Sequence, residues 1–217
     1  MELRRTAGSA DNLRLLRDPA SGVHAAFVQG GVAEGTDDGT LVSLGRVAHE
    51  PLWLFYRAER LQRQRVGQPP VRLADLAGWR IDVAQAEAYA RRFSFLQPLV
   101  LPRGVVDLAA DRPPADVHLV SASASLVVRA ELHPALMQLL LQAAQQAHGE
   151  GGWFHRRGEF PNPGADLFPL ADEAARHYRS GPPWLQRYLP FWLANFVDRM
   201  WIVLLPLLVQ CSVLFRT

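Results

Sequence analysis

Histidine and cysteine side chains, the groups best suited to acid–base, nucleophilic or metal chemistry, are scattered along this chain. No two of the seven histidines lie four residues apart on one predicted helix, and His133 and His148 lie at opposite ends of the same one. The single cysteine, Cys211, lies in an apolar tail, unlike the electropositive and partly exposed setting of a reactive thiolate. We therefore expect capping or surface histidines, and we predict no metal site, no cofactor and no catalytic residue.

Sequence motifs of the common enzyme classes are also missing. The chain has no GxGxxG, P-loop, HExxH or GxSxG pattern. Ser121, Ser123 and Ser125 alternate along a predicted strand, so one of them could face a ligand, although strand packing explains them equally well. The formal net charge of +2 is too small to indicate nucleic-acid binding. These features favour a binding protein over an enzyme.

Short strands and helices alternate in the part of the chain that would hold a site. Hydrophobic periodicity and turn residues predict helices at 12–17, 84–95, 133–148 and 171–178, and strands at 23–31, 41–45 and 50–57. The alternation within 117–128 predicts a pair of strands, and the segments 34–40, 60–70 and 149–169 read as loops. This mixture predicts a layered α/β domain.

The C-terminal tail carries a charge-free apolar run, MWIVLLPLLVQCSVLF, between Arg199 and Arg216. It is slightly short for a membrane span of about 20 residues, but it is apolar on every face. Aromatic side chains of the kind found at a lipid headgroup boundary flank its start: Trp184, Tyr188, Trp192 and Trp201. We predict one transmembrane helix at 200–216, preceded by an aromatic and proline-rich membrane-proximal segment at 181–199. The alternative is a buried core helix.

Several segments, in order, carry a family likeness. They are TAGSADNL at 6–13, VHAAFVQGG at 23–31, EPLWLFYR at 50–57, and a run within 86–194 that includes EAYARRF, LPRGVVDLA, HPALMQLLLQAA, GEFP and SGPPWLQRYLPFWLA. Together they resemble the TAXI-type solute-binding subunits of TRAP transporters, in the branch that carries a C-terminal membrane anchor. The likeness extends over most of the chain.

The resemblance implies a two-lobed α/β fold of the periplasmic-binding-protein type II class, followed by one transmembrane helix. The receptor-like domain would occupy residues 1–180. Relative to the family pattern the fold is expected to be incomplete, with a deletion near 83–86 that removes much of the second lobe. The chain is also expected to begin inside the first lobe, without an export signal or first strand, and to end soon after the anchor.

The function implied by the resemblance is capture of a small organic anion, such as a carboxylate or an amino acid, and its delivery to a TRAP permease subunit. Positions that match the family's first-lobe cleft are Ser9, Asn12, Gln29 and Tyr56. Ser9 and Asn12 could instead cap the first helix. The expected partners are the anion, the permease and membrane lipid, with no nucleic acid.

The resemblance places the chain in the inner membrane as a single-pass protein, with its soluble part facing the periplasm. The arginine count opposes this orientation, because more arginines precede the predicted span than follow it. Two alternatives remain open: a membrane-tethered sensory or interaction module that reuses the receptor fold without transport, and an unrelated membrane-attached α/β enzyme.

Overall fold

Helices and strands alternate in the computed structural model, which describes residues 2–32, 39–53, 86–164, 168–181 and Met200. In chain order the elements are α1 (Ser9–Arg17), β1 (Ala25–Gln29), β2 (Leu41–Pro51), α2 (Ala86–Arg92), β3 (Leu96–Leu101), β4 (Val117–Arg129), α3 (Pro134–His148) and α4 (Asp172–Ser180). A short 3-10 turn, Pro19–Ser21, follows α1. The predicted mixed α/β class is confirmed at this level.

The 13-residue strand β4 is the partner of every other strand in the described sheet. β1 pairs with its C-terminal half and β3 with its N-terminal half, so these two strands lie end to end along one edge of β4. β2 pairs along the opposite edge. All three pairings are antiparallel, so β1, β2 and β3 run in one direction and β4 in the other.

Both faces of β4 are covered. One face, with Ala124, Leu126 and Val128, packs against Met137 and Leu141 of α3. α4 joins the same apolar cluster through Ala174. The opposite face presents Val127 to α1, whose Leu13 and Leu16 form a second cluster with Val28 of β1. Farther along that face, Leu99 and Leu101 pack with Val117 and Leu119. The central strand is therefore buried on both sides.

The outer edge of β2 is covered by the chain that leads to α4. Ser43 donates its N–H to Pro169 O and accepts from Ala171 N–H, at 2.8 and 2.9 Å. Arg46 and Asn162 exchange backbone hydrogen bonds of 2.9 and 3.0 Å. Between these contacts the strand bulges at Gly45, whose φ of 115° and close approach to Tyr178 exclude a side chain. An edge covered in this way is closed to further strand pairing.

The predicted strand pair at 117–128 is wrong, because this segment forms the single strand β4. Small and apolar residues alternate there because helices or covering chain pack on both faces of the strand. The run also contains no turn residue. The separate strand predicted at 50–57 is also wrong at its start: Glu50 and Pro51 are the end of β2. The rest of that range, from residue 54, lies outside the described residues.

Other predicted elements agree with the structure. The helix predicted at 133–148 is α3, and those at 12–17 and 171–178 correspond to α1 and α4. The predicted strand at 23–31 contains β1, and the one at 41–45 is the first part of β2. The helix predicted at 84–95 is shorter, because α2 ends at Arg92, and β3 was not predicted.

No helix among the described residues is long and apolar enough to cross a bilayer. Apart from Met200, which is helical, and Gly181, the predicted segments 181–199 and 200–216 lie outside those residues. Most of the predicted loop 34–40, all of the loop 60–70 and most of the deletion point near 83–86 also lie outside them. The membrane anchor, the two lobes and the domain limits stay predictions.

Leu141 provides a test of the α3 layer, because it is fully buried whereas Leu136 on the same helix is 48% exposed. We expect Leu141→Ala to lower the free energy of unfolding of the full chain by about 2–5 kcal/mol, since it opens a cavity against β4. Leu136→Ala should change it by less than about 0.5 kcal/mol. Urea unfolding followed by circular dichroism measures both, and equal losses would contradict this packing.

Candidate functional site

Ser9 and Asn12 meet the outer edge of β1 in a region we call the α1–β1 corner, formed by Thr6, Ser9, Asn12, Phe27 and Gln29. The Gln29 N–H donates to Ser9 Oγ at 3.0 Å, and Asn12 Nδ2 donates to Phe27 O at 2.8 Å. Thr6 Oγ1 donates to Asn12 Oδ1 at 2.6 Å, which fixes the orientation of the amide. The corner ties the start of the first helix to the free edge of the strand.

The spacing of residues in α1 produces this arrangement. Ser9, Asn12 and Leu16 recur at intervals of three and four, so they share one face of the helix, and Leu13 lies beside them. Leu13 and Leu16 are buried against Val28 of β1. The apolar contact therefore sets the rotation of α1, and the two polar side chains above it are aimed at the edge of β1.

Ser9 and Asn12 do not cap α1, so that alternative is wrong. The helix begins after Gly8, and no side chain accepts a hydrogen bond from its first turn as a cap. The first N–H groups of an α-helix have no acceptor within the helix itself. The positive end of the α1 dipole consequently lies beside the Ser9 hydroxyl and the Asn12 amide.

Charges near this helix start are mostly cationic. The one acidic group in the first turn, Asp11, is paired with Arg14 at 2.6 Å. The Arg14 guanidinium lowers the pKa of the Asp11 carboxyl, and the Ala7 N–H and Arg4 act in the same direction. Because Arg14 offsets the Asp11 charge, the repulsion that an incoming anion would meet here is reduced.

Gln29 reaches the corner through its backbone. Its register opposite Ala124 puts its side chain on the α3 face of the sheet, on the same side as Phe27, whose ring lies 6.1 Å from that of His148. The turn that follows contains Gly31, with φ of 84°, where an added Cβ would overlap the Phe95 ring. Of the four predicted site residues, three come together here, and Tyr56 lies outside the described residues.

A second group of polar and aromatic side chains was not predicted. We call His49, Gln97, His155 and Phe160 the histidine cluster. His49 Nδ1 and Gln97 Nε2 are 2.9 Å apart, and the Phe160 ring lies 4.8 Å from that of His49 and 5.2 Å from that of His155. Burial lowers the pKa of His49. The prediction of a capping or surface role is therefore wrong for this residue.

The register of the sheet explains why these distant residues meet. His49 lies opposite Ser123, and Gln97 lies opposite Ser121, so all four share one face of the sheet with Ser125. The three serines are buried, and the Ser121 hydroxyl donates to Ala122 O at 2.7 Å. Packing in the strand therefore accounts for the serine alternation. A capping role is confirmed for His133, whose Nδ1 accepts from the Ala135 N–H at 3.2 Å.

Comparison with known proteins adds no identification. No protein-family model matches the chain, and it has no significant match among curated proteins. Within the described ranges, no group of three or more His, Cys, Asp or Glu side chains could hold a metal ion. The α1–β1 corner is therefore the feature of the described structure that bears most directly on function.

Ser9→Ala tests the tie between α1 and β1. It removes the acceptor of the half-buried Gln29 N–H, so we expect the free energy of unfolding to fall by about 1–2 kcal/mol. Ser94→Ala, at an exposed turn position, is the matched control and should change it by less than about 0.5 kcal/mol. Denaturant titration of the full chain measures both. A Ser9 variant as stable as the control would show that this bond does not hold the corner.

Proposed function

We propose that the chain is a membrane-anchored, extracytoplasmic solute-binding subunit of a TRAP-type transporter, and that it binds a small organic anion such as a carboxylate or an amino acid. One observation carries the proposal: the uncapped start of α1 lies beside the Ser9 hydroxyl and the Asn12 amide at the end of β1. The positions are those that the sequence resemblance implies for the ligand cleft. The proposed role is binding, without catalysis.

The chemistry of the corner suits a carboxylate. Backbone N–H groups at a helix N-terminus, together with the helix dipole, attract anions. Hydroxyl and amide donors add directed hydrogen bonds to the carboxylate oxygens. Pairing with Arg14 leaves Asp11 with little capacity to repel the ligand. A neutral sugar would gain much less from this combination of donors and dipole.

Donor capacity remains after the internal hydrogen bonds are made. Ser9 Oγ accepts from Gln29, and a serine hydroxyl also carries one donor hydrogen. Asn12 uses one amide hydrogen on Phe27 O, and a primary amide carries two. In the described part of the chain, no hydrogen bond uses these remaining hydrogens. An anion could accept both without breaking the tie between α1 and β1.

Transport would follow from the remaining predicted parts. In the proposed receptor, the segment 200–216 anchors the chain in the inner membrane, and the soluble part in the periplasm closes around the anion. Closure is a population shift toward a state in which the ligand makes additional contacts. Tyr56 is proposed as a further ligand contact. The closed receptor then presents its ligand to a TRAP permease subunit.

A thermal-shift screen of the full chain against dicarboxylates and amino acids tests the proposal. We expect one acid, at roughly a hundredfold excess over its dissociation constant, to raise Tm by about 5–10 °C. Ser9→Ala and Asn12→Ala, which remove the two side-chain donors of the corner, should abolish that shift, each measured against the same variant without ligand. Ser94→Ala and Gln146→Ala, at exposed positions, are the matched controls and should keep it.

Two outcomes would contradict parts of the proposal. If no acid in the screen shifts Tm while the chain unfolds cooperatively, anion binding is wrong. If an acid binds but cells lacking the chain take up that acid at the normal rate, the transport role is wrong. The second result would favour the sensory or interaction module.

A further inference from the structure

The segment 149–164, which follows α3 without regular secondary structure, is held on the sheet face that carries the buried serines. Phe160, only 2% exposed, is its main apolar attachment and contacts the rings of both His49 and His155. Phe154 adds a smaller contact with the Leu99–Leu119 side of the same face. The segment is therefore held on this face chiefly through one ring that contacts two imidazoles.

Hydrogen bonds hold the two imidazoles to different parts of the fold. His155 belongs to the covering segment, and its Nε2 lies 2.9 Å from Glu150 O of the same segment. His49 belongs to β2, and its Nδ1 meets Gln97 of β3 across β4. The segment and the sheet each contribute one histidine, with ring centroids 6.4 Å apart. Charge on either ring would act directly on this contact.

We propose that the histidine cluster is a pH-sensitive latch, in which protonation of His49 releases the segment 149–164 from the sheet. The neutral His49 ring accepts the Gln97 N–H at Nδ1, whereas a protonated ring has donors at both nitrogens. Gln97 must then rotate its amide to present oxygen. The new charge also lies in a half-buried site against the Phe160 ring, where charge is costly to desolvate.

The charges around His49 set the direction of the response. Burial is the largest influence and lowers the His49 pKa, and His155 and Arg46 act in the same direction. Glu159 opposes them and favours the charged ring. The neighbours opposite His49 from β3 and β4, Gln97 and Ser123, are uncharged. His49 therefore binds a proton less readily with the latch closed than with it open.

The sign of the pH effect follows from this difference. With the segment released and His49 in water, its pKa returns to about 6.5. The closed latch is then at full stability above that pH, and it loses stability as pH falls from about 6.5 through the lower pKa of the closed state. One proton can raise the opening equilibrium by at most about tenfold per pH unit over that window.

Hydrogen exchange of the full chain at about pH 7.5 and about pH 5.5, on either side of the free histidine pKa, tests the latch. With exchange times corrected for the intrinsic pH dependence of amides, we expect peptides from 149–164 to lose protection about five- to tenfold at the lower pH. Peptides from α1 and β1 serve as the internal reference and should not change. Equal protection of 149–164 at both pH values would overturn the proposal.

Three variants separate a latch from a general acid effect. His49→Gln cannot titrate, so its protection in 149–164 should be independent of pH, whereas His24→Gln, at an exposed position, should respond like the wild type. Glu159→Gln keeps an acceptor for the Arg156 N–H but removes the opposing charge. The closed-state His49 pKa then falls further below its value in water, so the loss of protection at about pH 5.5 should be larger than in the wild type. This result is available even if His49→Gln does not fold. A loss of protection in Glu159→Gln no larger than that of the wild type, or a wild-type response in His49→Gln, would contradict the latch.

Discussion

Every described strand depends on hydrogen bonds to β4. Because the three other strands pair with β4 and not with one another, β4 forms backbone hydrogen bonds along both of its edges. Both faces must also fit closely against helices or covering chain, which restricts the part of the strand from 119 to 128 to small and apolar side chains. Buried serines at 121, 123 and 125 satisfy this restriction while leaving room for the larger side chains above them. The candidate site and the histidine cluster are both positioned by register against this one strand.

Closing the free edges of the sheet is what gives the polar residues their positions. Ser9 and Asn12 cover the edge of β1, while Asn162, Pro169 and Ala171 bond to the edge of β2. Unpaired strand edges promote association with other chains, so these contacts have a structural value of their own. The proposed ligand site is built from the same groups. Stability and binding are therefore coupled at Ser9 and Asn12. The ligand-induced change in Tm of each variant there must be compared with the Tm of the same variant without ligand.

Local signals in the sequence predicted the elements whose ends are marked by proline or glycine. Pro134 and Gly149 mark the two ends of α3, and the helix lies between them. The length of β4 was not predicted, because alternation within 117–128 is typical of half-buried strands as well as of this one, which is buried on both faces. Only the sequence resemblance grouped Ser9 and Asn12 with Gln29; in the structure Ser9 accepts from the Gln29 N–H and Asn12 donates to Phe27 O. Their attachment to the edge of β1 depends on α1 packing against Val28, which local periodicity does not encode.

The meeting of His49 with His155 illustrates what one-dimensional patterns miss. The two residues are far apart in sequence, and only the registers of β2 and β3 on β4 bring the Gln97–His49 pair beneath the segment that carries Phe160. Anion binding at the α1–β1 corner is the central element of the proposed function. Hydrogen exchange of the full chain with and without a saturating acid that binds it locates that site directly. We predict slower exchange at Ser9–Asn12 and around Gln29; saturation with no change in those amides would contradict binding at this corner.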